Sequence, residues 1–419
     1  MYNKGYKYLE RGIADKAIQC FKKFHISNGE SKESLLNMGN AYRLLNKHSE
    51  ALKCYERANS DDVKSLFTGR YGNYDLACNN AGLQNYTFGR DDAAIEWYKR
   101  ALVLNPQHYD ATWNYASALL RKWCSGTTVD LEFAWKLYGT RFLKGTPVKL
   151  DRFLPKWDGN SYVKRICVLA EQGMGDKVMF GRYLSKLALC CDEVWVQIPS
   201  ELDCMFSDYR VCRDSAECVG GYGIPFCDLA MIFGEVPGDW LAGKFGSREL
   251  DPHEVKIGVL HTGSPTHAND RNRSIPAGYF RDLANFGTVY HLGFRGRSIV
   301  DVKETDPKSW QDTISQILKM DVVVTIDSAI VHVCGSLGVP CIMMQPLIET
   351  DFRWGTATEK IANGLDPEWN RWYTSVRVID NPASWEKALG RVMEILRNEY
   401  GWEYKSEKAA NMILESMNA

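Results

Sequence analysis

The stretches RICVLAEQGMGDKVMFGRYLSKLAL (165–189) and DVVVTIDSAIVHVCGSLGVPCIMMQP (321–346) share one plan: a short apolar run, a turn of Gly, Asp or Ser, then a longer segment of helical spacing. Apolar runs of this length, bounded by such turns, read as strands buried on both faces. In the second stretch another apolar run, PCIMMQ, follows the helical segment, so strand, helix and strand succeed one another. That succession predicts a parallel sheet with helices on its faces. Working outward, EVWVQI extends the first block, with DLAMIF as a further candidate strand, while KIGVLH and TVYHLG extend the second. The polar, Gly-rich segment GDWLAGKFGSRELDP separates the blocks, and HEVKIGVLH restarts the pattern near residue 252. Two Rossmann-like α/β domains are expected, 161–251 and 252–400, with ligand in the cleft at the carboxyl ends of their strands.

The N-terminal third has a different texture. Gly39, Tyr42, Ala51, Tyr55 and Ala58 recur thirty-four residues after Gly5, Tyr8, Ala17, Phe21 and Phe24, a period and residue set that resemble tetratricopeptide repeats. A third copy fits Gly82, Ala94, Tyr98, Ala101 and Pro106, displaced by an insert around SLFTGRYGNYD, and a degenerate fourth runs through ATWNYASALLRKW and FAWKLYGTRF. Small Gly or Ala lets paired helices approach, and the large Tyr or Phe four residues after an Ala fills the gap. The expected boundaries are 1–125 for the repeats, 126–160 for a helical linker and 401–419 for a C-terminal tail helix. Such arrays either present a concave binding surface or only support the next domain.

Composition narrows the classes. The 51 Lys and Arg nearly cancel the 52 Asp and Glu, so no global field draws nucleic acid or an anionic membrane, and an anion site has to be local. The thirteen cysteines are odd in number and lack a C-x-x-C pair, which reads as reduced, mostly buried thiols. The start, MYNKGYKYLERG, lacks the apolar core of a signal peptide, and no apolar run reaches bilayer-spanning length, so a cytoplasmic protein is expected.

Three constellations carry the chemistry. In EQGMGD the glycines Gly173 and Gly175 free a tight strand-to-helix turn that would carry Gln172 and project Asp176 into the cleft. The same string is compatible with a nucleotide or S-adenosylmethionine loop, or with a purely structural turn. After KIGVLH, the residues Thr262, Gly263 and Ser264 precede Arg271 and Arg273, a hydroxyl, glycine and guanidinium set suited to a diphosphate or, alternatively, a solvated charged loop. After DVVVTI, Asp327 and Ser328 open a helix whose amino end attracts phosphate, or serve as plain helix caps. His332, one turn on, faces a ligand or packs.

These segments, in this order, resemble the ADP-heptose:lipopolysaccharide heptosyltransferase family, and especially bacterial proteins that fuse tetratricopeptide repeats to such a domain. The strings are AEQGMGDKVMFGRYL, IGVLHTGSPTHANDRNRSIP and VVVTIDSAIVHVCGSLGVPCIMMQP, with FLPKWDG, DFRWG (351–355) and RWYTSVRV (371–378) also similar. The resemblance implies a glycosyltransferase-B architecture that needs no metal and no cofactor beyond a nucleotide-diphosphate sugar as donor. It implies an inverting transfer to an acceptor hydroxyl, with Asp176 as general base and with Arg273, Asp327, Ser328 and His332 toward the donor. The family's acidic donor-ribose residue has no counterpart in GFRGRS after TVYHLG, so donor sugar and base stay unassigned. The acceptor, whether glycan, protein or modified base, is equally open, and the repeats are expected to aid acceptor or partner recognition. Rival readings are a protein O-glycosyltransferase of the O-linked N-acetylglucosamine transferase type, a non-catalytic repeat scaffold with a decayed sugar-binding domain, and a methyltransferase built on the EQGMGD loop.

Overall fold

The computed structural model describes residues 1–65, 74–143, 154–267, 269–293, 302–305, 307–346, 348–380 and 384–402. Most of the insert in SLFTGRYGNYD, all but the first residue of GFRGRS and nearly all of the expected tail helix lie outside them. The chain forms two compact units, Met1–Trp123 with Thr128–Pro147, and Cys124–Thr127 with Val148–Ala419.

The first unit is a run of helix pairs: α1 (Tyr2–Glu10) with α2 (Ala14–Asn28), α3 (Lys32–Leu44) with α4 (His48–Ala58), α5 (Tyr74–Thr87) with α6 (Asp91–Leu104), and α7 (Tyr109–Cys124) with α8 (Leu131–Tyr138). The thirty-four-residue pattern is explained by one recurrent contact. A Cβ at Gly39 would meet the Tyr55 ring at 2.5 Å, one at Gly82 the Tyr98 ring at 2.5 Å, and one at Gly5 the Phe21 ring at 2.9 Å. Each ring is fully buried. The missing side chain is therefore the seat of the aromatic, and the pair of positions defines the repeat. The fourth pair closes differently, with Trp113 stacked on Tyr138 at 6.2 Å. α8 lies inside the expected helical segment 126–160 and packs with the repeats in this unit.

This packing fixes the sign of two glycine substitutions. Gly39→Ala is expected to destabilise the helical unit by about 1–3 kcal/mol through overpacking, outweighing the propensity gained in the helix. Gly390 sits in a helix with nothing within 4 Å of its would-be Cβ, so Gly390→Ala is expected to stabilise by about 0.4–1 kcal/mol. Denaturant melts of the two variants should therefore move in opposite directions.

The second unit holds two parallel sheets. The first contains β1 (Val163–Leu169), followed by α9 (Met174–Phe180) and α10 (Leu184–Leu187), then β2 (Cys191–Gln197), β3 (Arg210–Cys212), β4 (Tyr222–Pro225) and α11 (Leu229–Phe233). Its order is β3-β2-β1-β4. The second contains β5 (Lys256–Leu260), α12 (Asp270–Arg273), β6 (Thr288–His291), β7 (Lys303–Glu304), α13 (Trp310–Ile317), β8 (Val322–Ile326), α14 (Ala329–Leu337), β9 (Cys341–Met344), α15 (Ala357–Ala362), β10 (Val376–Ile379) and α16 (Trp385–Asn398). Its order is β10-β9-β8-β5-β6-β7. Strand order reverses at β1/β4 in one sheet and at β5/β8 in the other, and such switch points open a crevice at the carboxyl ends of the strands. Every residue of β8 is buried, which is why its sequence is apolar except for Thr325.

Two expectations are corrected here. DLAMIF is not a strand: it folds as a short 3-10 turn running into α11, ended by Gly234 at φ 62°. A five-residue apolar run has no length or periodicity to separate strand from helix, and the neighbouring YGIP takes the strand position as β4. KVMFGRYLSKLAL is not one helix either, because a 3-10 turn at Gly181–Tyr183 divides α9 from α10. At that break a Cβ on Gly181 would meet the Trp240 ring at 2.4 Å, so the turn is where the indole packs. All thirteen cysteines are free thiols, eleven of them buried. Among the described residues no helix is long and apolar enough to cross a membrane.

Candidate functional site

The loops after β1, β5 and β8 converge on one cleft of about 1850 Å³. Gln172, Gly173, Gly175 and Asp176 line it from the first sheet, and Thr262, Gly263, Ser264, Arg273, Asp327, Ser328 and His332 from the second. Eleven of the twelve residues singled out from sequence thus share a wall of one cavity. The exception is Arg271, which does not line it. On the single turn of α12, residues two apart point to opposite sides, so Arg271 and Arg273 cannot both face the cleft.

The glycine turn is tightly built. Gln172 adopts φ 54°, a left-handed conformation that costs a non-glycine residue strain and is kept only where surroundings impose it. Here they do: the buried Lys177 ammonium donates to the carbonyls of Glu171, Gln172 and Gly173, each at 3.2 Å, and Glu171 accepts from Cys227 N–H at 2.8 Å. Asp176 stands at the third position of α9, where its Oδ2 accepts from Gly173 N–H at 2.9 Å. Its other oxygen accepts from the Arg353 guanidinium, which also donates to Asp351 at 2.6 Å. Burial raises the Asp176 carboxyl above its ordinary range, with the Arg353 charge opposing and the Asp351 charge reinforcing that rise.

Across the cleft, Gly263 is where Asp270 and Arg273 close on the backbone: a Cβ there would meet Asp270 Oδ1 at 2.4 Å and Arg273 Nη2 at 2.5 Å. The Gly263 N–H donates to Ser274 Oγ at 3.1 Å, and the Ser274 hydroxyl to Asp270 at 3.1 Å. Arg273 bridges the two loops of the switch point by donating to the Asp327 carbonyl at 2.9 Å. Ser328 is the extended N-cap of α14, yet its side chain makes no capping bond, so capping does not account for it. Ser328 and Ala329 line the cleft there, at the positive end of the helix. His332 packs and faces the cleft at once. Its Nδ1 lies 3.0 Å from Tyr373 Oη, its ring stacks on Trp354 at 5.3 Å, and a Cβ on Gly175 would meet its Cδ2 at 2.8 Å. Burial drives its ring far below the ordinary histidine range, so it is neutral at physiological pH.

Desolvation of the half-buried Asp327, reinforced by the Asp351 charge, pushes its carboxyl up to about 6. Above that value it is ionised and opposes an anion in the cleft; below it the repulsion is gone. An anion that carries no group titrating there is therefore expected to bind several-fold more tightly at about pH 5 than at about pH 7.5. Calorimetry at the two pH values checks this, and Asp327→Asn should flatten the difference.

Sequence reasoning missed Asp351 and Arg353, although DFRWG had been picked out as a string. An arginine nine residues past the end of β9 at Met344 and 177 from the carboxylate it pairs with carries no local pattern. It also missed the Lys308–Gln311 wall, whose only local signal is the Ser309 cap on Asp312 N–H at 3.1 Å. No group of three or more His, Cys, Asp or Glu among the described residues is arranged to hold a metal ion.

Residues 34–64 match the family model of the tetratricopeptide repeat, the segment that folds as α3 and α4. Among curated proteins none matches the chain significantly. Of solved structures, the glycosyl transferase family 9 protein of Veillonella parvula is 12% identical over 56% of this chain and 92% of its own, with a TM-score of 0.37. A mutant O-GlcNAc transferase of Thermobaculum terrenum is 11% identical over 95% of this chain and 89% of its own, with a TM-score of 0.33. MamA is 22% identical over 34% of this chain and 74% of its own, with a TM-score of 0.29. The architecture is helical repeats followed by two parallel-sheet α/β domains, and at such identities the chemistry has to be read from the cleft.

Proposed function

We propose that this chain is a glycosyltransferase that moves a sugar from a nucleotide-diphosphate sugar to an acceptor hydroxyl. The observation that carries the reading is the meeting, in one cleft between two switch points, of a carboxylate on a rigid glycine turn with an arginine and an uncapped helix start. An acid-base group on one side and an anion seat on the other are what displacement at an anomeric carbon requires. In the step, the acceptor oxygen forms a bond to the anomeric carbon while its proton passes to Asp176. The bond from that carbon to the phosphate oxygen breaks, and its electron pair leaves with the nucleoside diphosphate. Arg273 and the amides at Ser328 and Ala329 take up that developing charge. Attack from the side opposite the leaving group inverts the configuration.

In this reading the charge on the leaving group is met by protein groups alone, so chelation with EDTA is expected to leave donor binding unchanged. The main test is a thermal-shift panel of nucleotide-sugars with S-adenosylmethionine as the control; a ligand at a hundred times its dissociation constant stabilises by about 2.7 kcal/mol. A shift by S-adenosylmethionine and by no nucleotide-sugar would replace this reading with a methyltransferase. A protein acceptor is the second reading, favoured by the repeat match over residues 34–64. Transfer to a peptide, lost when the helical unit is removed, would select it.

A further inference from the structure

We propose that Arg353 is the positioning residue of the general base: reaching from the wall of the second sheet, its guanidinium holds one oxygen of Asp176 and so fixes how the carboxylate is presented to the acceptor. This rests on the role of Asp176 given above. Asp176 is in the first turn of α9, after β1, whereas Arg353 is on the 3-10 turn Phe352–Trp354 after β9, so the contact spans the cleft. Arg353 has little freedom to do anything else. Its Nη1 donates to Asp351 Oδ2 at 2.6 Å, its own N–H to Asp351 Oδ1 at 2.9 Å, and its carbonyl accepts from Trp372 Nε1 at 2.9 Å. The side chain is 7% exposed, with the guanidinium 4.7 Å from the Phe352 ring centre. With one nitrogen held by Asp351, the planar fork aims Nη2 at Asp176 and, at 3.5 Å, at Gln172 Oε1. Since Gly173 N–H takes the other oxygen of Asp176, the carboxylate is fixed at both ends while it lines the cleft.

The electrostatic consequence follows from burial. A carboxylate removed from water is pushed toward its neutral form, which cannot accept a proton, and an opposite charge in contact counters that push. The charged and titratable groups that face Asp176 across the cleft include Arg353, Asp351, Asp327, His267, Asp270 and Arg273 from the opposite side and His332 from α14, with Lys177 on its own helix. Lys177 is spent on three backbone carbonyls, and His332 is neutral. Arg353 is thus the cation in direct contact with the base, and Asp351 both anchors it and tempers its effect.

The test is a carbon-13 titration of the full-length protein labelled at aspartate carboxyls, with Asp176 assigned by its loss in Asp176→Asn. Arg353→Gln is expected to raise the midpoint of Asp176 by at least about one pH unit, the ordinary effect of removing a contacting opposite charge. Arg353→Lys keeps the charge and should recover most of the wild-type value. Asp351→Asn, which retains the arginine and removes a like charge, should move the midpoint the other way. An unmoved midpoint in Arg353→Gln would overturn the proposal, as would an equal rise in the lysine variant, since packing rather than charge would then be responsible. If Arg353→Gln fails to fold, the sign of the Asp351→Asn shift decides: a rise or no change overturns the proposal. No sugar donor enters the measurement, so its outcome is separate from that of the nucleotide-sugar panel.

Discussion

Asp176→Asn is expected to lower sugar transfer by about 10²–10⁴-fold, the usual contribution of a general base, while donor affinity stays near wild type. The substitution keeps the turn but gives up the ion pair with Arg353, because an amide has one accepting oxygen where the carboxylate has two. The amide keeps a carbonyl oxygen for the Gly173 N–H, so the turn and the start of α9 survive, and Arg353 retains its bonds to Asp351. What is lost is the ability to accept a proton, together with the bond accepted from Arg353. Steady-state transfer and donor calorimetry on one preparation decide the matter. Because Asp176 does cap the glycine turn, a role confined to capping would leave the asparagine variant fully active, as Asn caps equally well. Loss of donor binding together with transfer would instead make Asp176 a donor ligand. Since burial raises its carboxyl, the acid limb of the transfer rate should lie above the ordinary aspartate range, with activity falling as pH drops through it.

Arg273→Ala is expected to weaken nucleotide-diphosphate binding by about 1.5–3 kcal/mol, roughly ten- to a hundredfold, through loss of a charge-assisted hydrogen bond. The arginine also ties the β5 and β8 loops together through the Asp327 carbonyl, so Arg273→Lys serves as the milder comparison. The neighbouring Arg271→Ala is the control. Its side chain is on the other face of a single helical turn, outside the cleft, and its removal should leave affinity unchanged. Equal losses from both arginines would mean that general positive charge, rather than the geometry of Arg273, attracts the nucleotide. Unchanged affinity in a folded Arg273→Ala would remove it from the site.

Much of this architecture was legible in the sequence because the determining interactions are local or periodic. The Gly39 and Tyr55 pair repeats because the first three helix hairpins solve the same packing problem, and β8 reads as VVVTI because burial on both faces favours apolar side chains, its one polar residue, Thr325, donating its hydroxyl to the Ile326 carbonyl. The glycine turn before Asp176 and the turn at Asp327 and Ser328 were legible for the same reason, since backbone geometry within a few residues imposes its own composition. Where the local signal was short it misled. DLAMIF is too brief to show a period, and α12 is a single turn whose two arginines look equivalent on paper and diverge in space.

Whatever depended on contacts between distant segments was decided by the tertiary structure alone. Asp351 and Arg353 join the site because the loop after β9 lies across the cleft from the loop after β1, and a charge pair between such loops leaves no spacing for a sequence to reveal. The same holds for the pairing of His332 with Tyr373 and for the approach of its ring to Gly175, which turn a histidine of ambiguous role into a neutral wall of the cavity. The sequence by itself therefore determined the elements, their order and the turns that bear the chemical groups, through rules acting over a few residues. Which groups meet, and in what state of charge, was set by the folding of the two sheets, because Coulombic contact and burial depend on distance in space and not along the chain.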